Sequence, residues 1–132
     1  PGRLNPKEYN IMKKHSKIGA ELLSGHESNL LKVAKHIALT HHEKWDGSGY
    51  PQGLKRKNIP LVGRIVAICD VFDALTSERP YKKAWPFQLA VEEILHSKGD
   101  YFDPRIVDVF MKCLPEIKRV FKNKIPPQNY YF

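Results

Sequence analysis

The chain of 132 residues, 42% hydrophobic and 27% charged, has the balance of a single globular domain, and a chain of this size buries roughly two thirds of the surface it exposes when unfolded. No apolar run reaches the length of a membrane-crossing helix, and the basic start PGRLNPKEYN lacks the apolar stretch of a signal peptide, so the expected location is the cytoplasm. A formal net charge of +8 suits a small anionic partner such as a phosphate ester, although the lysines of residues 112 to 124 also fit a solvated helix face. No interleaving of aromatic and basic residues suggests a nucleic-acid groove.

In chain order, Asn5 as N-cap, Pro6 at the first helical position and Glu8 as the capping-box partner predict a helix that Gly25 ends. Ile11, His15, Ile18 and Leu22 recur at spacings of four, three and four, which puts His15 on the inward, apolar face. A second helix over about 28–41 carries Leu31, Ala34, Ile37 and Ala38 inward and delivers His41 and His42 at its C-terminal end. The following fifteen or so residues, rich in Gly and Pro, form a loop. From Pro60, PLVGRIVAICDVFDALTS predicts a largely buried helix with apolar positions on most sides, in which Asp70 and Asp73 stand out. WPFQLAVEEILHSKG predicts a helix from near Pro86 that stops at Gly99, and DPRIVDVFMKCL one with Asp103 as N-cap and Pro104 at the first helical position. Pro115 begins a short final helix before the loose tail KIPPQNYYF. Cys69 and Cys113, far apart and without CxxC spacing, read as buried free thiols. No alternation argues for strands, so the fold class is all-α, a bundle of five to six helices.

Imidazole nitrogens and carboxylate oxygens are the usual ligands for iron, manganese and zinc, and ligands brought inward from several helices can close a metal site. The candidates are His15, His41, His42 and Asp70. Singly, each histidine also fits a hydrogen-bonded core residue; together they point to a metal. Asp70 and Asp73 lie one turn apart on the apolar helix, where an unpaired buried carboxylate costs several kcal/mol and calls for a metal, a cation or dense hydrogen bonding. An ion pair with Arg79 or Lys82 meets that need as well. Arg79 and Lys82, just beyond the helix, suit phosphodiester oxygens as a fork and a mobile ammonium, plain surface charge being the alternative. The order aspartate, aspartate, arginine, lysine suggests metal-assisted phosphoester hydrolysis.

HHEKWDGSGYPQGL, IPLVGRIVAICDVFDALTSERPYKKAW and GDYFDPRIVDVF, in this order, resemble signature segments of the HD-GYP domain. That domain is a bacterial branch of the HD phosphohydrolase superfamily that hydrolyses cyclic di-GMP. The likeness runs from about Pro1 to Phe110, and PGRLNPKEYNIMKKH is similar to the segment that leads to a metal-binding histidine. The resemblance implies that His15, His41 and His42 bind one metal ion and that Asp70 is a further metal ligand. It makes Asp73 the acidic residue near the substrate and attacking water, and Arg79 and Lys82 phosphate contacts. Gly49, Tyr50 and Pro51 are the GYP itself, stiffening the rim of the site, while Glu43 either orients a ligand histidine or sits plainly on the surface. The implied cofactor is a divalent transition metal, iron or manganese. The implied substrate is cyclic di-GMP or a related cyclic dinucleotide, cut to pGpG, GMP or both, with a sensory or receiver domain upstream. Arg56 stands where the family has glycine, which puts that turn's conformation in question.

The His-Asp doublet that names the superfamily does not occur in these 132 residues. The resemblance therefore makes residues 1–132 the C-terminal portion of a single HD-GYP domain, nearly inactive alone because the aspartate that bridges two metals is missing. The alternative is a non-catalytic module that binds a protein partner or a nucleotide. Apolar surface left open by the absent helices is suited to a second copy of the chain, so a homodimer is a further expectation.

Overall fold

The computed structural model describes residues 4–79 and 82–122. Seven α-helices follow one another: α1 (Pro6–Met12), α2 (His15–Leu22), α3 (Asn29–Thr40), α4 (Leu61–Thr76), α5 (Phe87–His96), α6 (Pro104–Lys112) and α7 (Leu114–Lys122), with a short 3-10 turn at Arg56–Asn58 between α3 and α4. Among the described residues there are no strands, and two isolated bridges, Arg79 with Lys82 and Lys98 with Phe102, pin turns. The tail expected over residues 124–132 lies outside the described residues.

The local signals act as read. The Asn5 side chain accepts hydrogen bonds from the Lys7 and Glu8 amides, and the Glu8 carboxylate accepts from the Asn5 amide at 2.8 Å, closing the capping box. Asp103 caps α6 by accepting from the Arg105 amide at 2.9 Å, with Pro104 at the first helical position. Gly99 ends the α5 turn at φ +89, where a side chain would be strained. Arg56 holds the same left-handed region at φ +54, so the turn keeps a glycine-like shape although the residue there is arginine. That geometry costs about 1 to 2 kcal/mol for a residue with a Cβ.

The core lies where α5 and α6 pack on α4. Ala67, Ile68 and Phe72 of α4 meet Ala90, Val91 and Ile94 of α5, Val107 and Phe110 of α6, and Phe102 from the turn between them. Arg64 ties this half together: its Nε donates to the Ile59 carbonyl at 2.9 Å, and an Nη donates to Asp103, whose side chain is buried. The same aspartate thus caps one helix and pairs with another, which satisfies a carboxylate that would be costly to bury alone.

The helices that carry the histidines reach this core through small residues. Gly63 of α4 lies so close to α3 that a Cβ there would stand 2.1 Å from the Thr40 hydroxyl and 2.9 Å from its Cβ. Gly19 of α2 faces Ala38 of α3, where a Cβ would stand 3.4 Å from the alanine Cβ, an ordinary contact, and Ser16 and Ala20 are the buried positions of α2.

Four expectations change. The first predicted helix is two, because the chain turns at Lys13 and Lys14 and the Met12 carbonyl engages the His15 ring at 2.7 Å; the helix count rises to seven accordingly. Its supposed inward face is open: Ile11 is 66% exposed and Leu22 76%, with Ile18 and His15 exposed beside them. Close packing of α2 on α3 selects the small residues, and the large ones fall outside the contact. Finally, α4 is buried on one side only. Leu61, Ile65, Cys69, Asp70 and Asp73 are all exposed, so neither aspartate carries a burial cost. Cys69 and Cys113 are free but exposed, not core thiols.

Candidate metal centre

The break between α1 and α2 and the end of α3 bring three imidazoles together. His15 opens α2, and its Nδ1 lies 2.7 Å from the Met12 carbonyl oxygen. His41, still helical at the C-cap of α3, folds its ring back so that Nδ1 lies 3.0 Å from both the Ile37 and Ala38 carbonyls. A carbonyl only accepts, so both Nδ1 atoms carry a proton, and in the neutral rings both Nε2 atoms carry a lone pair. These two lone pairs face each other at 3.4 Å. His42 Nε2 lies 3.1 Å from His15 Nε2, and one nitrogen from each of the three rings falls within 4.8 Å of the others.

Two acceptors pointed at each other repel unless a cation lies between them. One tautomer of His42 can donate to His15, but the His41 lone pair still faces His15, and the Ser16 hydroxyl, 3.5 Å from His15 Nε2, is at the outer limit of a hydrogen bond. Two nitrogens bound to one ion at roughly 2.0 to 2.1 Å stand about 2.9 to 3.4 Å apart for angles between octahedral and tetrahedral. The donor set therefore fits a divalent transition metal. Orientation of a ligand ring by a backbone carbonyl on its far nitrogen, as His15 and His41 have here, is a usual support of such a site. His42 is held neutral at pH 7: burial, and then the neighbouring His41 and His15, push it down to about 4 against the pull of Asp70.

The loop after the histidine pair is built around Glu43. This residue is 3% exposed, and its two carboxylate oxygens accept from the Gln52 amide at 2.7 Å and the Leu54 amide at 2.9 Å. It neither orients a histidine nor lies on the surface; it clamps the far side of the loop to the helix end. A signal was present in the sequence, since a loop has unpaired amides to satisfy and an acidic residue at its start can accept them. Gly49 closes the loop from the other side. A Cβ there would meet the Lys44 nitrogen, the Glu43 Cα and the His42 carbonyl at 2.4 to 2.5 Å, all backbone and unable to give way. Tyr50 donates its amide to the His42 carbonyl at 3.2 Å, and its ring leans on the His42 ring with centroids 4.8 Å apart. Burial, with Tyr9 and Asp70 adding to it, pushes the Tyr50 phenol up to about 12. The Tyr50–Pro51 bond is cis.

The third sequence segment supports the first. The Trp45 amide donates to the Tyr101 carbonyl at 2.9 Å and the Asp46 amide to the Asp100 carbonyl at 2.8 Å, while the Lys44 ammonium sits 3.8 Å from the Tyr101 ring centroid. Residues 100 to 103 therefore hold the histidine loop and cap α6 at once.

Asp70 lies outside the tight histidine cluster, yet its charge acts on both His42 and Tyr50, and it makes no ion pair with Arg79 or Lys82. Asp73, on the next turn, accepts from the Ser77 hydroxyl at 3.2 Å. Beyond α4, Arg79 and Lys82 exchange two backbone hydrogen bonds of 2.9 Å, and the Trp85 amide donates to the Leu75 carbonyl, which folds this turn back on the helix end. The Lys82 ammonium rests 4.9 Å from the Trp85 ring centroid.

Comparison with known proteins gives this arrangement a family. The sequence profile of the HD domain matches residues 1–106. The chain belongs to the HD domain family. It is 48% identical over 124 residues to a cyclic di-GMP phosphodiesterase of Thermotoga maritima, covering 94% of this chain and 34% of that protein. It is also 48% identical over 120 residues to the cyclic di-GMP phosphodiesterase response regulator RpfG of Xanthomonas campestris, covering 91% of this chain and 32% of that one. A 3'3'-cGAMP-specific phosphodiesterase of Vibrio cholerae matches at 48% identity over 112 residues, 85% of this chain and 22% of that protein. The chain thus spans between about a fifth and a third of the length of these relatives. A crystal structure of a cyclic GMP-AMP-specific phosphodiesterase from Vibrio cholerae shares the fold, with a TM-score of 0.64 at 24% identity over 92% of this chain and 31% of that one. The HD domain described here has no helix among its described residues long and apolar enough to cross a membrane.

Proposed function

We propose that this HD domain is the metal-holding, C-terminal portion of an HD-GYP phosphodiesterase that hydrolyses cyclic di-GMP to pGpG, GMP or both. The observation that carries the reading is the approach of His15 and His41, whose Nε2 atoms lie 3.4 Å apart with their other ring nitrogens on carbonyls, an arrangement that a shared metal ion makes favourable. His15, His41 and His42 would hold the ion, iron or manganese suiting a set of imidazoles with a carboxylate nearby, and Asp70 would add its charge from the next helix. A divalent metal there supplies Lewis acidity to a phosphoryl group.

The chain's own residues do the rest. The Met12, Ile37 and Ala38 carbonyls hold the two ring protons on the far nitrogens, so the lone pairs need no rearrangement. Tyr50 lies on His42 and keeps water from that side of the ring. Arg79 and Lys82, in the turn pinned to the end of α4, contact the phosphodiester, and Asp73 accepts a proton or a hydrogen bond near the attacking water. The names of the relatives, cyclic di-GMP and cGAMP phosphodiesterases, support a cyclic dinucleotide as substrate.

The activity assigned to the parent requires a His-Asp pair that these 132 residues do not contain. The test is a longer polypeptide that supplies it, assayed with iron or manganese. Cyclic di-GMP should be cleaved, and Asp70→Ala or His41→Ala should abolish cleavage. Lys82→Ala should raise KM with metal content unchanged, because the lysine is assigned to phosphate. A longer polypeptide fully loaded with metal and unable to cleave any cyclic dinucleotide would turn the reading to a binding module.

A further inference from the structure

The turn that aims His15 also gathers positive charge. Lys13 and Lys14 are the two residues between α1 and α2, and Lys17 follows within the first turn of α2. Together with Asn10, Tyr50 and Pro51 they line a surface cavity of about 190 Å3 that has no carboxylate in its wall. The ion pairs among the described residues lie elsewhere, at Lys32 with Glu27, Arg64 with Asp103 and Lys98 with Asp108. The Lys13 ammonium is held back over two rings, 5.2 Å from the Tyr9 centroid and 5.8 Å from that of Tyr50.

A lysine patch on a helix is by itself a solvated face. Three features separate this one. It is concave, one of its ammonium groups is fixed by aromatic contacts, and one of its walls is the ring that leans on His42. Like charges three and four residues apart repel, and no acidic group in the wall offsets them, so an anion in the cavity removes a cost already present.

We propose that Lys13, Lys14 and Lys17, with Asn10 and the Tyr50 ring, form an anion subsite that holds the second, uncleaved phosphate of a cyclic dinucleotide. This rests on the phosphodiesterase reading above. A cyclic dinucleotide carries two phosphodiesters, and only one can face the histidine cluster at a time. The other keeps its negative charge and must lie against the protein surface nearby. Ammonium groups suit it as mobile point charges, and the Asn10 amide can donate as well. Arg79 and Lys82 serve the cleaved phosphate and this cavity the other, so the substrate is gripped at two places.

The test is calorimetric titration of the 132-residue chain with cyclic di-GMP, inorganic phosphate and guanosine. Lys13→Gln/Lys17→Gln is compared with the charge-matched pair Lys112→Gln/Lys118→Gln, with circular dichroism melts to verify folding. The cavity pair should weaken cyclic di-GMP and phosphate about tenfold, equivalent to about 1.4 kcal/mol, and leave guanosine unchanged; the distant pair should change each by less than twofold. Equal weakening by both pairs would show that only the general positive field acts. Lysine-independent affinity, or no phosphate-dependent binding at all, would also overturn the subsite. Cleavage by the longer polypeptide without lysine-dependent binding removes the subsite and keeps the phosphodiesterase reading. Lysine-dependent binding without cleavage does the reverse.

Discussion

The two halves of this domain are held by different forces. From α4 to α6, Ile68, Ile94, Phe102 and Val107 are sealed in one apolar core. From α1 to α3 the buried residues are Ser16, Ala20 and Thr40, and the large apolar side chains Ile11, Ile18, Leu22, Leu30 and Val33 are exposed. The histidines belong to the second kind of structure. His15 and His41 sit on helices joined to the core through Gly63, small residues and backbone hydrogen bonds, where little apolar area is removed from water. Stability and the candidate site are thus separated along the chain, and the site lies in the half with less of its own stability.

The largest expected effect breaks the core half. Ile94→Ala, at a position with 0% exposure, should lower unfolding free energy by about 2 to 5 kcal/mol, whereas Leu22→Ala should change it by no more than about 0.5 kcal/mol. Urea denaturation of the three proteins checks the contrast. A comparable loss from Leu22→Ala would mean that the face of α2 is covered in solution.

The next effect sharpens the contrast from the other side. If the histidines share an ion, metal should stabilise the half that lacks a core. Manganese at a hundredfold excess over its dissociation constant should add about 2.7 kcal/mol. Amide exchange should slow most in α1, α2 and the end of α3, a chelator should reverse it, and His41→Ala should remove it. Uniform slowing across α5 and α6 alone would place the ion elsewhere.

The smallest of the three falls at the seam between the halves. Glu43→Gln keeps the shape but can accept at only one oxygen, so one of the Gln52 and Leu54 amides loses its partner. A cost of about 1 to 3 kcal/mol is expected, with weaker metal affinity, since the loop it clamps carries Tyr50 against His42. Wild-type melting temperature and metal affinity in this variant would count against the clamp.

What could be read from the sequence, and what could not, follows the range of the interactions. The capping box of Asn5 and Glu8 and the Asp103–Pro104 start of α6 are local, decided within four residues, and stand as read. The histidine cluster was legible because a helix end delivers His41 and His42 and a similar family segment points to His15. The four-three-four spacing of Ile11, His15, Ile18 and Leu22 says that a face is apolar, not what lies against it, and among the described residues nothing covers it. The break at Lys13 and Lys14 depends on a histidine ring reaching the Met12 carbonyl, a contact no propensity contains. Glu43 was ambiguous because its partners lie nine and eleven residues on, across a loop. The apolar richness of α4 makes Asp70 and Asp73 read as buried, but composition does not say that only one side of the helix is packed.

The placement of the chain's two tryptophans has an optical consequence. Trp45 is half-buried at the root of the histidine loop, tied to the Tyr101 carbonyl and 6.0 Å from the Arg64 guanidinium. Trp85 is more open and lies under the Lys82 ammonium. Each indole stands beside one of the two regions that a ligand would engage, the loop of the metal centre and the basic turn after α4. Their emission should differ in colour, because one ring is less exposed than the other. With either tryptophan replaced by phenylalanine, the intrinsic fluorescence of the remaining one becomes a one-region gauge, readable in a cuvette without any attached dye.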